Sequence, residues 1–136
     1  MNFSELTDII NYEDEALKEL LSLLDEQYKL IMRNSAFELD AIVDKIKECN
    51  VKIAEKEVER RRLIGDKSMK AVVRESNYSP LDKAFRSING TLFLVKQQKD
   101  TNELLLKQQI VLNNQTLNII NPRREMKTYN SYGNLR

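Results

Sequence analysis

Phe3, Ile10, Leu17, Leu24 and Ile31 recur at every seventh position, with Ile9, Ala16, Leu23 and Leu30 beside them and Leu6 and Leu20 on the same side. A seven-residue repeat keeps one seam of a helix turned toward a partner helix. Asn2, with Glu5 three residues later, has the spacing of a capping box. The pattern therefore predicts one helix from the N-terminus to about Met32.

Asn34 and Ser35 interrupt the repeat, and Ser35 with Glu38 makes a second S-x-x-E start. The next seam is Leu39, Ile42, Val43, Ile46, Cys49 and Ile53. It turns polar at Glu57 and Arg60 before Leu63 and Ile64 close the helix ahead of Gly65. The far end of this second helix is expected to be the more solvated one. Residues 66–79 form a connector in which Met69, Ala71, Val72 and Val73 suit a short helix over the end of the bundle.

Ser79, Pro80 and Asp82 supply a capping hydroxyl, a proline for the first turn and an acid near the helix N-terminus. The helix they start can run to Ile120, where Asn121-Pro122 stops it. About 40 residues at 1.5 Å each reach roughly 60 Å. Asn89-Gly90 lies inside this span and is a common turn dipeptide, but the unbroken apolar face across it favours a continuous, kinked or straight, helix. Residues 122–136 are polar and lack an amphipathic period, as in a flexible tail. The chain is thus all-α: an elongated antiparallel bundle of three long helices with a short helical connector. A single domain covers 1–121 and a polar C-terminal tail 122–136.

On a helical wheel the third long helix shows two apolar faces. Leu81, Ala84, Phe85, Ile88, Leu92, Val95, Leu106, Ile110, Leu117 and Ile120 form the natural core stripe. Phe93, Leu94, Leu104, Leu105, Val111, Leu112 and Ile119 gather on nearly the opposite side, in the C-terminal part of the helix only. One bundle contact does not cover both. Leaving a large apolar side chain in water forgoes roughly 1.5 to 3 kcal/mol of burial. The second set is therefore a candidate partner-binding surface. Its alternatives are a central helix with both faces in the core, or a homodimer contact. Asn102, Gln108, Gln109, Asn113, Asn114, Gln115 and Asn118 interleave with it, and most such amides are solvated helix surface.

Composition narrows the chemistry. The 136 residues contain no histidine and one cysteine, Cys49, which removes the commonest general base and any cysteine cluster for metal or disulfide. Cys49 is expected to be a small buried helix residue. Phosphate loops, metal-ligand motifs and nucleophile elbows are absent from the sequence. No catalytic residue, metal site or cofactor is expected. Net charge is +1, but the first 26 residues hold eight acids against one lysine, while 83–136 are predominantly basic. Arg60-Arg61-Arg62 follows Glu55, Glu57 and Glu59, and Glu57 can pair with Arg61 at i, i+4. A charge-mixed solvated helix is favoured over nucleic-acid binding. No stretch has the apolar length of a membrane span, and Met1 to Glu5 lack the start of a secretion signal. The cytoplasm is the expected location, without membrane insertion.

Three segments together resemble the FlgN family of flagellar type III export chaperones. They are Leu17-Lys18-Glu19-Leu20-Leu21-Ser22-Leu23-Leu24, the Lys45 to Arg62 stretch running into Leu63-Ile64-Gly65, and Asn102-Glu103-Leu104-Leu105-Leu106. The ending is more specific. A helix closing near Asn118-Ile119-Ile120 is followed by Thr128-Tyr129-Asn130-Ser131-Tyr132-Gly133, similar to the family's Thr-Tyr-x-x-x-Gly tail. The resemblance implies a non-enzymatic chaperone that binds helical segments at the C-termini of hook-associated proteins, prevents their premature assembly and delivers them to the flagellar export gate. It also implies that cargo is held by the C-terminal helix, and that Tyr129 and Gly133 dock the export gate. The chain departs from the family pattern in its Asn- and Gln-rich last helix and in a second tyrosine, Tyr132. A homodimer of the cargo-free chain is a further expectation, and a homo-oligomeric coiled-coil structural or adaptor protein is the alternative function that the first heptads allow.

Overall fold

The computed structural model describes residues 1–120, with side-chain environments to Gln115. Four helices follow in order: α1 over Phe3–Met32, α2 over Ala36–Ile64, α3 over Met69–Ser76 and α4 over Ser79–Ile120. Among the described residues there is no strand.

Local signals explain the ends. The Asn2 side chain accepts the Glu5 N–H at 3.0 Å and so satisfies one of the first-turn donors of α1. Asn34 (φ 57°) between α1 and α2 and Gly65 (φ 60°) after α2 both take a positive φ, where Asn and Gly carry the least steric penalty. Ser35 precedes α2 but its hydroxyl makes no capping bond there. Ser68 caps α3 by accepting from Ala71 N–H at 3.2 Å. Ser79 is already helical, and the Tyr78 carbonyl receives the Leu81 and Asp82 N–H groups. Pro80 therefore sits where a missing N–H costs nothing. Helix α4 passes through Gly90 without a break.

α1 is the middle of three long helices. It packs along both α2 and α4, whereas no comparable contact joins α2 to α4. Cys49 lies against Ala16 and Arg60 against Glu13, so α2 runs antiparallel to α1. Ser87 meets Asp14, Asn102 meets Leu24 and Gln109 meets Ile31, so α4 runs parallel to α1. The expected α1 seam is buried at Leu6, Ile10, Ala16, Leu17, Leu20, Leu24, Leu30 and Ile31. Leu6, Ile10, Leu17, Leu20 and Leu24 of this seam share one core with Cys49 of α2 and with Leu81, Ala84, Ile88 and Val95 of α4, and Ile42 of α2 is also buried. Val72 is buried, and α3 rests on α4 near its start.

Three expectations are corrected. The second half of α2 is polar, yet it is not left to solvent. Lys56 lies 4.3 Å over the Tyr12 ring and Arg60 binds Glu13 at 3.1 Å, with both members of that last pair largely buried, while Lys52 reaches Glu19 at 3.5 Å on the exposed surface. The acid excess of α1 explains this, because it draws the cations of α2 onto it. Asn102 is not solvated: it is 1% exposed, gives hydrogen bonds to Leu24 O (2.8 Å) and Gln27 Oε1 (2.9 Å), and accepts from Gln98 Nε2 (2.9 Å). Gln109 likewise donates to Ile31 O at 2.7 Å. Finally, Leu92 is not core but 46% exposed, and Phe85, Leu106 and Ile110 are half-buried, because α2 does not close over that side of α4.

Asn102→Ala removes a fully made buried network and should cost about 1–3 kcal/mol. Urea unfolding followed by circular dichroism measures it, and an unchanged midpoint would show that the network adds no net stability.

Candidate functional site

Two apolar surfaces of α4 remain outside the core. The first is the outer face. Phe93, Leu104, Val111 and Leu112 keep more than half of their area accessible, Leu94 keeps nearly half, and Leu105 is half-buried. Ile119 belongs to α4, but its side-chain surroundings lie outside the described residues. These residues share one side of α4 because they recur at spacings of seven and eleven, close to whole numbers of helical turns.

The length of α4 accounts for part of this exposure. Gln109 bonds to Ile31 O, next to the last residue of α1. Residues 110–120 therefore run about 16 Å beyond the end of α1, at 1.5 Å per residue. Val111 and Leu112 lie on this overhang, with few bundle residues left to cover them. Met32 and Phe37 are also exposed at that end of the bundle. Phe37 was not singled out in the sequence, although its place off the Leu39–Ile53 seam is a signal that it faces outward.

The second surface is a groove between α2 and α4, floored by α1. Its larger part has a volume of about 680 Å³, with Leu17, Leu20 and Leu24 as floor, Val43, Ile46 and Ile53 on one wall, and Val95 and Leu106 on the other. Lys47 and Asn50 of α2, Lys99 and Glu103 of α4, and Gln27 of α1 also line it. A smaller hollow of about 230 Å³ lies among Ile10, Glu13, Arg60, Met69, Ile88 and Leu92. The two follow one another along the same faces, since 10, 13, 17, 20, 24 and 27 on α1 and 88, 92, 95, 99, 103 and 106 on α4 are spaced at three or four residues. Sequence reasoning placed many of these side chains in the core and missed the groove.

Charges near these surfaces are mostly spoken for. Burial pushes the Glu13 carboxyl above its usual range, and the Arg60 guanidinium beside it only partly offsets this. Burial also pushes the Cys49 thiol up, helped by Glu19, so the group stays a thiol and donates to Ala16 O at 3.2 Å. Arg60 is held by Glu13 and Arg61 by Glu57 at 2.6 Å, which leaves no continuous arginine strip of the kind phosphates require. On α1, the neighbouring residue Asp14 accepts Ser87 Oγ at 2.6 Å and keeps Oδ1 buried without a protein partner. Among the described residues no group of His, Cys, Asp and Glu could hold a metal ion, and no helix is long and apolar enough to cross a membrane. Such surfaces can bury apolar side chains of another chain and offer amides at their edges. Tyr129, Tyr132 and Gly133 lie outside the described residues.

A family model described as FlgN protein matches residues 1–136. No curated protein and no solved structure matches the chain.

The raised Glu13 carboxyl has a pH signature. A carboxyl whose folded pKa exceeds its unfolded value holds its proton more tightly in the native state, so its contribution is full at low pH and is lost as pH rises through the folded value. Glu13→Gln should therefore gain stability relative to the parent chain as pH is raised from 4.5 toward neutrality. Urea midpoints of the two proteins across that range provide the comparison, and a constant difference would contradict the assignment.

Proposed function

The chain belongs to the FlgN family, the flagellar export chaperones, and from that premise we propose that it binds hook-associated proteins in the cytoplasm through the outer apolar face of α4. The observation that carries the reading is the row Phe93, Leu94, Leu104, Val111 and Leu112, which its own bundle leaves largely in water. A helical segment from the C-terminal region of a hook-associated protein would cover that row by laying its own apolar stripe along it. Covering it serves two ends at once. The cargo helix loses the surface with which it would assemble early, and the chaperone loses an aggregation-prone face.

The exposed position of this row also separates binding from folding. Core residues cannot be made available to a partner without loosening the bundle, whereas Leu104 and Val111 contribute little to it. Delivery to the export gate is assigned to Tyr129 and Gly133 on the pattern of the tail sequence, with Tyr132 as the competing aromatic.

Leu104→Asp with Val111→Asp should abolish capture of a purified hook-associated protein. The melting curve should stay close to that of the parent chain, since exposed substitutions usually change stability by about 0.5 kcal/mol or less. Loss of helicity in this variant would reassign the face to the core. Tyr129→Ala should retain cargo and lose binding to the purified gate component; if Tyr132→Ala does so instead, the docking tyrosine is the other one.

A further inference from the structure

The groove along α1 has the shape of a four-helix bundle lacking one member. Helices in such bundles pack 8–10 Å apart and bury a stripe from each neighbour. Here α2 and α4 each press on α1 but scarcely on one another. Between them Val43, Ile46, Ile53 and Leu106 are half-buried and Leu92 is 46% exposed, although all lie on the inward-facing seams of their helices. From Ile10 to Gln27 the floor runs about 25 Å, the length of a helix of roughly 17 residues.

We infer that this groove is a docking site for one amphipathic helix of a partner protein, carrying acidic residues on both flanks of its apolar stripe. The walls select the charge. Lys47 on α2 and Lys99 on α4 line opposite sides of the larger hollow, where Glu103 is the one carboxylate. Glu103 lies beside Lys99 at 4.0 Å, while Lys47 makes no ion pair among the described residues. In the smaller hollow Arg60 and Glu13 neutralise each other. An incoming helix with acids on both flanks would meet a lysine on either wall.

The other occupants fit less well. Residues 121–136 carry Arg123, Arg124, Lys127 and Arg136 against Glu125, and include Pro122 and Gly133, so they bring the sign of charge that the walls already have and a poor helix former at each end. A second copy would have to offer its acidic helix, α1, which is enclosed by its own α2 and α4. The site shares no residue with the outer row of α4, so either surface can fail without the other.

The test uses the full chain and two labelled 18-residue helical peptides with one leucine stripe, flanked by glutamates in one and by lysines in the other. Fluorescence anisotropy at low salt should show saturable binding of the acidic peptide, about tenfold or more tighter than its lysine twin and weakened by salt. Lys47→Glu with Lys99→Glu leaves the apolar floor intact and should invert the preference. Leu92→Glu, at a half-exposed position, should weaken binding about tenfold with circular dichroism unchanged. Equal binding of the two peptides, or none, overturns the proposal. So does binding that ignores Leu92→Glu but is lost in Leu104→Asp with Val111→Asp. Light scattering that shows a dimer dissociated by Leu92→Glu gives the groove to a second copy and overturns it too.

Discussion

Everything in this fold depends on α1 being sandwiched lengthwise between two helices that scarcely touch each other. Its seam is wide because two heptad rows, Phe3–Ile31 and Ile9–Leu30, run side by side with Leu6 and Leu20. A stripe that broad serves α2 on one flank and α4 on the other. The acid excess of the first 26 residues, which looks like a feature of the surface, is in part internal. Glu13 and Glu19 meet Arg60 and Lys52, and Tyr12 lies beneath Lys56. Charge in α1 is thus matched by charge in α2, which fixes where the two helices meet more than it stabilises them, since burial leaves the Glu13 carboxyl above its usual range.

Apolar seams alone allow a helix to slide by one turn at little cost, and polar groups placed within them remove that freedom. Adjacent residues Glu13 and Asp14 point to opposite neighbours, one binding Arg60 of α2 and the other Ser87 of α4. Farther along, Asn102 reaches Leu24 O and Gln27, and Gln109 reaches Ile31 O. A buried amide or carboxylate displaced from its partner loses its hydrogen bonds without regaining water. These four side chains therefore specify one register for α2 and α4 on α1, much as a single buried asparagine specifies register in a coiled coil. The consequence for function is that the groove walls and the outer row of α4 are held at fixed heights along the bundle.

A chaperone of this kind needs apolar surface that is ready for another chain yet does not belong to its own core. The fold leaves apolar surface accessible in two ways that arise from separate causes. Helix α4 is longer than the helix it lies on, so it runs on past the end of α1, where Val111 and Leu112 are exposed. Its two neighbours stand apart, so the seams of α2 and α4 are only partly covered. Both are exposures of helix faces, and within a helix the backbone groups bond to one another, which lets apolar side chains stay accessible without unsatisfied backbone groups beside them.

Sequence alone determined the elements, because their causes are local. Heptad spacing, the Asn2 cap, the Asn34 and Gly65 turns, the continuity of α4 through Gly90 and the surplus of apolar residues on that helix are all carried by neighbours along the chain. Only the tertiary structure decided how far each face is covered. Leu92 and Ile88 lie on the same side of α4, yet one is half-exposed and the other buried. Asn102 sits among similar amides and is the one sealed between Leu24 and Gln27. The physical reason is that a helical repeat sets the direction in which a side chain points, while its burial depends on whether a neighbouring helix, distant in sequence, stands at that height and angle to meet it.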